Sequence, residues 1–141
     1  MQPAKAAMPE VTPEQRDKLL RAARQVMQRA YAPYSKFGVG AAALTESGNV
    51  YTGCNVENAS YGLTICAERN AIFAAVAAEG DQTKLRAIAV VNAAGVACSP
   101  CGACRQVIFE FGPNALVMFQ GSKGVESARA SELLPAGFTL L

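Results

Sequence analysis

The sequence predicts an α/β fold: a largely parallel sheet flanked by helices, with an antiparallel hairpin at one side. Two observations carry this. Segments of helical and strand character alternate along the chain in the order helix, hairpin, helix, strand, helix, strand. The last two strand segments are also near-continuous apolar runs, the pattern of strands covered on both faces.

Each element has a local reason. Thr12-Pro13-Glu14-Gln15 reads as a helix start, with Thr as N-cap, Pro at the first helical position and Gln closing a capping box. Leu19, Leu20, Ala23, Val26, Met27, Ala30 and Tyr31 then recur at helical spacing and give one apolar face. Pro33 stops this helix. Phe37 to Leu44 and Asn49 to Glu57 read as strands joined around Ser47-Gly48-Asn49, a cluster suited to a hairpin turn. A second helix is expected from about Cys66 to Glu79, capped by Thr64 and stopped by Gly80. Lys84 to Asn92 is a strand, Ser99-Pro100 opens a third helix that ends at Gly112-Pro113, and Ala115 to Gln120 is another buried strand. Ser131 to Pro135 reads as a short helical turn.

A chain of 141 residues is one domain long enough to bury a core. We expect it to span residues 12–141, after a flexible tail over 1–11. With 13 Lys+Arg against 11 Asp+Glu the net charge is +2, without the basic excess of a protein that tracks phosphates, so no nucleic-acid partner is expected. Charges interrupt every apolar run before the roughly 20 residues a membrane helix needs, so no membrane partner is expected either. The N-terminal Met1–Val11 lacks a secretory apolar region, and a cytoplasmic location is the expectation. Five cysteines in a reducing compartment are more often metal ligands or reactive thiols than disulfides.

Three of those cysteines fall at helix starts. Cys101 and Cys104 are three apart on one face of a first turn and can reach one metal ion, with Cys66 as a third ligand from another helix. Three protein ligands leave the fourth tetrahedral position open to water, the arrangement of catalytic zinc. Three thiolates leave such a site with about one formal negative charge, which two helix N-termini and Arg69 could offset. Glu68, two residues after Cys66, suits a general acid/base beside an activated water, or equally a dipole-stabilising glutamate in a first helical turn. Arg69 could equally be a solvated charge, and so could Arg105. Spacing leaves two further alternatives open: an iron–sulfur ligand run through Cys98, Cys101 and Cys104, and a structural zinc completed by Cys98 or Cys54. Cys54 is otherwise expected in buried packing.

Cys66-Ala67-Glu68 followed by Pro100-Cys101-Gly102-Ala103-Cys104 resembles the zinc deaminase signature in its all-cysteine form, which suits a chain without histidine. The chain is similar to the small homotetrameric cytidine deaminases in four ordered motifs: Ala32-Pro33-Tyr34-Ser35-Lys36-Phe37, Gly53-Cys54-Asn55-Val56-Glu57-Asn58, Cys66-Ala67-Glu68-Arg69, and Ser99-Pro100-Cys101-Gly102-Ala103-Cys104-Arg105-Gln106. The likeness runs from about Thr12 to Phe138. In the tail, Ala136-Gly137 stands where the family often has Gly before Ala.

The resemblance implies a three-layer α/β/α domain with a mixed, roughly five-stranded sheet. It implies one Zn2+ per subunit on Cys66, Cys101 and Cys104, with Arg69 hydrogen-bonded to the thiolates. The implied reaction is hydrolysis of cytidine and 2′-deoxycytidine to uridine and 2′-deoxyuridine with release of ammonia, in pyrimidine salvage, by a zinc-activated water with Glu68 as proton shuttle. Asn55 and Glu57 would hold the ribose hydroxyls, Phe37 would pack against the nucleoside, and the Ala67 backbone would hydrogen-bond the pyrimidine. Tyr61 and Phe138 would serve a neighbouring subunit's site in the homotetramer.

Overall fold

The computed structural model of the chain describes residues 10–141; residues 1–9 of the expected tail lie outside them. The elements in order are helix α1 (Pro13–Met27), strands β1 (Val39–Thr45) and β2 (Val50–Cys54), helix α2 (Ala67–Glu79), strand β3 (Leu85–Asn92), helix α3 (Gly102–Phe111), strands β4 (Leu116–Gly121) and β5 (Gly124–Arg129), and the single turn α4 (Ala130–Leu133). A short 3-10 turn, Tyr61–Leu63, precedes α2.

The five strands form one sheet in the order β2-β1-β3-β4-β5. Its directions correct the expectation of a largely parallel sheet, because only β3 and β4 pair parallel, whereas β1–β2, β1–β3 and β4–β5 are antiparallel. The reason lies in where the hairpin docks. β2 and β3 both run against β1, so they point the same way, and the β2–α2–β3 crossover spans β1 instead of joining neighbours. A fifth strand, β5, extends the edge.

Alternation along β1 divides the core into two layers. Ala41 and Ala43 pack with Ala67, Ala71 and Ile72 of α2 and Ile108 of α3. Ala42 and Leu44 pack on the other face with Leu19 and Ala23 of α1. The runs Ala41–Ala43 and Ala87–Val91 are therefore buried on both sides, and the sheet lies between helices as a three-layer fold. Small residues let the layers approach. A Cβ on Gly40 would lie 2.1 Å from the Ala23 carbonyl oxygen, and one on Gly53 would lie 2.3 Å from the Ala71 nitrogen. Gly53 thereby lets the first turn of α2 rest directly on β2.

The expected ends of elements shift in one informative way. α2 begins after Cys66, not after Thr64, and α3 begins after Cys101. Both N-caps have extended backbones (φ −71°, ψ 156° and φ −67°, ψ 167°), and neither sulfur caps its own helix. Thr64 instead closes the preceding 3-10 turn.

Candidate active site

The cysteine N-caps bring two helix starts together. The Cys66 and Cys101 sulfurs are 4.0 Å apart, and with Cys104 they form a trio of thiols whose sulfurs all lie within 4.8 Å of one another. Cys104, in the first turn of α3, is fully buried. The unpaired N–H groups and dipoles of α2 and α3 surround this cluster with partial positive charge, which favours thiolates.

Arg69, one turn into α2, donates from Nη2 to the Cys66 sulfur at 3.3 Å. No carboxylate lies within ion-pair distance of Arg69 among the described residues, and its buried Nε has no acceptor. The sulfurs are thus the counter-charge of this guanidinium. Cys66 is lowered to about 5, first because the Cys104 thiol donates to it and then because of Arg69, with burial opposing both. Cys104 is pushed up as the donor of that pair. The donor set fits zinc: three soft sulfurs converging from two helices, with the Arg69 cation hydrogen-bonded to one of them.

Arg105 does a different job. Its Nε donates to the Pro100 carbonyl at 2.7 Å, Nη1 to the Leu133 carbonyl at 2.9 Å and Nη2 to the Ser99 hydroxyl at 2.9 Å. It is neither a solvated charge nor a thiolate partner, but the staple that holds the Ser99-Pro100 approach to α3. Residues i and i+1 on a helix face different ways, which is why spacing separated Arg105 from Cys104 without locating its acceptors.

Cys98 and Cys54 stay out of the trio. Cys98 is exposed and contacts the Ser99 carbonyl at 3.9 Å through its sulfur, while its N–H pairs with the Gln120 carbonyl at 2.9 Å. Cys54 ends β2 and is half-buried, less enclosed than the expected buried packing. Three sulfurs converge among the described residues, and neither Cys98 nor Cys54, which the iron–sulfur run or a four-thiolate structural zinc would need, belongs to that group.

The thiols open onto a cavity of about 250 Å³, lined among others by Phe37, Asn55, Glu57, Cys66, Ala67, Glu68 and Cys101. Glu68 is 5 % exposed, and burial is the main cause pushing its carboxyl up. Asn55, buried, accepts from the Val39 N–H at 2.8 Å and donates to the Phe37 carbonyl at 2.8 Å. The Glu57 carboxylate accepts the Tyr34 and Ser35 N–H groups on Oε1 at 3.0 and 3.1 Å, and the Ser35 hydroxyl on Oε2. The Ser35 hydroxyl holds Glu57 below the usual carboxylate range against the opposing effect of burial, and the Ser35 and Tyr34 N–H groups add smaller effects in the same direction as the hydroxyl. Sequence reasoning had placed Ser35 inside a motif without a role; its proximity to Glu57 spans 22 residues of chain.

Tyr61 and Phe138 are not among the residues lining this cavity. Tyr61 is 76 % exposed and sits edge-on to Tyr34, with ring centroids 6.0 Å apart. Phe138 is 67 % exposed, and its carbonyl accepts from Gln106 Nε2 at 3.3 Å.

Known proteins resemble this chain in sequence and fold. Residues 13–120 match the cytidine and deoxycytidylate deaminase zinc-binding region. The chain is 46 % identical over 125 residues to the cytidine deaminase of Sporosarcina psychrophila, covering 87 % of this chain and 90 % of that one. It is 47 % identical over 126 residues to the cytidine deaminase of Halalkalibacterium halodurans, covering 88 % and 94 %. The crystal structure of the Burkholderia pseudomallei cytidine deaminase superposes with a TM-score of 0.80 at 47 % identity, over 91 % of this chain and all of that one. The three-layer fold and the mixed five-stranded sheet are shared, and the Cys66, Cys101 and Cys104 trio fits one zinc ion per subunit. Near-half identity along almost the whole of both chains leaves one conclusion: this chain belongs to the zinc-binding cytidine and deoxycytidylate deaminase family.

Proposed function

We propose that the chain catalyses hydrolytic deamination of cytidine and 2′-deoxycytidine to uridine and 2′-deoxyuridine, releasing ammonia, in pyrimidine salvage. One observation carries this reading: a single cavity is lined both by Cys66, Cys101 and Glu68 and by Asn55 and Glu57. Reactive and sugar-recognising groups thus face one small-molecule volume.

Cys66, Cys101 and Cys104 would hold zinc, which supplies a Lewis acid that makes a water nucleophilic near neutral pH. Arg69 offsets the excess thiolate charge. Glu68, its carboxyl raised above the ordinary carboxylate range by burial, is suited to accept and return a proton. It takes the proton from the attacking water, delivers it to N3 of cytosine, and assists the C4 amino group to leave as ammonia. The Ala67 backbone meets the pyrimidine, Phe37 packs on the nucleoside, and Asn55 and Glu57 take the sugar hydroxyls. The low net charge of +2 suits a free nucleoside better than a polymer.

Assembly as a homotetramer in the cytoplasm belongs to the same proposal. It is supported by the exposure of the Tyr61 and Phe138 rings outside their own chain's cavity, where they can serve a neighbouring subunit. Five free cysteines suit a reducing compartment, and no helix among the described residues is long and apolar enough to cross a membrane.

The test is ammonia release from cytidine, 2′-deoxycytidine, cytosine, cytidine monophosphate and single-stranded DNA under one set of conditions. Turnover of the two nucleosides is expected; turnover of only the monophosphate or the polymer overturns the substrate assignment. Light scattering of active protein tests the assembly, and a fully active monomer overturns it.

A further inference from the structure

The loop before β1 joins the two sides of the sugar end of the cavity through one hydroxyl. Ser35 Oγ accepts the Phe37 N–H at 3.0 Å and bonds Glu57 Oε2. Because an N–H already points at this oxygen, its single proton must go to the carboxylate. A carboxylate has about four acceptor positions. The Tyr34 and Ser35 N–H groups occupy both positions of Oε1, and Ser35 Oγ occupies one of Oε2. One acceptor direction of Glu57 is left for a ligand, and the Ser35 hydroxyl determines which.

Among the described residues, Ser35 supplies the one side-chain hydrogen bond to Glu57. Asn55 spends one acceptor position on the Val39 N–H and one N–H on the Phe37 carbonyl, which fixes its amide and leaves one acceptor and one donor for a ligand. Phe37 is consequently gripped through its N–H by Ser35 and through its carbonyl by Asn55. The next residue back, Lys36, has φ 59°, a left-handed conformation that a residue with a side chain adopts only when its surroundings impose it. The contacts on either side of Lys36 are those of Ser35 with Glu57 and of Phe37 with Asn55.

We propose that Ser35 is a positioning residue for the nucleoside site: its hydroxyl aims the remaining acceptor of Glu57 at a sugar hydroxyl and ties that aim to the placement of Phe37. This rests on the nucleoside deaminase reading above. It makes sugar recognition depend on a side chain that acts on the substrate through another residue, so removing the hydroxyl weakens binding and leaves the chemical step intact.

The experiment compares wild type, Ser35→Ala, Ser35→Thr, Ser35→Cys, Glu57→Gln and the Ser35→Ala/Glu57→Gln double variant. Each is assayed with cytidine and with 2′,3′-dideoxycytidine, the latter as substrate or as competing ligand. Loss of a hydrogen bond to a charged group predicts a rise of about tenfold in KM for cytidine in Ser35→Ala, with kcat within about twofold of wild type. Binding of the dideoxynucleoside stays unchanged, Ser35→Thr restores the wild-type KM, and Ser35→Ala adds nothing on top of Glu57→Gln. Ser35→Cys keeps the volume with a weak donor and gives an intermediate KM, which preserves the test if the alanine variant misfolds. An unchanged KM, an equal loss for both ligands, a fall confined to kcat, or full additivity with Glu57→Gln each overturns the proposal. Wild type that releases no ammonia from cytidine overturns the functional reading and this proposal together; an active wild type with an unaffected Ser35→Ala overturns this proposal alone.

Discussion

Arg69 donates to the Cys66 sulfur across 3.3 Å, one turn along the helix that Cys66 caps. Three thiolates exceed the charge of one zinc ion by one, and no carboxylate among the described residues forms an ion pair with this guanidinium. Arg69→Gln is therefore expected to lower zinc affinity or kcat/KM by about 10–100-fold, the usual effect of removing a partner of a metal ligand. Zinc retained per subunit against a graded chelator, together with kcat/KM, measures it. Unchanged values for both quantities mean that the charge is balanced elsewhere.

Glu68 is a buried carboxyl on the same first turn, facing the cavity beside the thiols. Glu68→Gln preserves shape and removes the exchangeable proton, so kcat is expected to fall by about 10²–10⁴-fold. Zinc content and circular dichroism should match wild type. Near-normal turnover in this variant removes Glu68 from the proton path.

Much of this was readable in advance, and the exceptions are informative. Thr12 and Gln15 form the expected reciprocal capping box, because a cap is decided by residues three apart. The α2 start was expected at Thr64 because threonine is an ordinary cap; Cys66 takes that position with its sulfur turned to the other thiols, a tertiary demand that local propensity does not contain. β5 was missed because Gly124-Val125-Glu126-Ser127-Ala128-Arg129 is an edge strand with few apolar residues, held by backbone pairing to β4. The order of elements along the chain does not carry the sheet directions, because β1 lies between β2 and β3. Among the site residues, adjacency in sequence exposed the cysteines and Glu68. The grip of Ser35 on Glu57 and of Arg105 on Leu133 spans 22 and 28 residues and leaves no local pattern.

The distance between β2 and α2 is set at Gly53. A Cβ there would lie 2.3 Å from the Ala71 nitrogen and 2.8 Å from the Ala67 carbonyl oxygen, all backbone that cannot swing aside. Gly53→Ala should displace the first turn of α2, costing about 3 kcal/mol, the upper end of overpacking, and lowering zinc occupancy with it. Gly62→Ala, where an added Cβ meets nothing within 4 Å, is the control and should stay within about 0.5 kcal/mol of wild type. Urea unfolding and metal content decide between them, and equal behaviour of the two variants sinks the argument.

The chain order Ala136-Gly137 places a side chain where the backbone is left-handed, with φ 55° at Ala136. That conformation costs an L-residue about 1–2 kcal/mol. Glycine avoids the cost but gains freedom in the unfolded chain worth about 0.4–1 kcal/mol. Ala136→Gly is thus expected to stabilise by roughly 0.5 kcal/mol, a rise of about 2 °C in Tm. A lower Tm in this variant contradicts the strain argument.

Glu79, the last residue of α2, ties that helix to the β1–β2 turn. Its Oε2 accepts from Thr45 Oγ1 and Ser47 Oγ, both at 2.8 Å, and from Asn49 Nδ2 at 3.4 Å. The Ser47 and then the Thr45 hydroxyl hold its carboxyl below the ordinary value of 4.5, against a smaller opposing effect of burial. A carboxyl depressed in the folded state adds stability in full above its unfolded pKa, and that stability is lost as pH falls through the folded value. Wild type should therefore melt higher than Glu79→Gln at pH 7, with the gap narrowing once pH drops below about 4.5 and shrinking further on continued acidification. Glu57, also depressed, keeps some acid sensitivity in both proteins, so the informative quantity is the difference between the two melting curves. A gap that stays constant from pH 7 to 3 would show that the Glu79 charge is not what holds the turn to the helix.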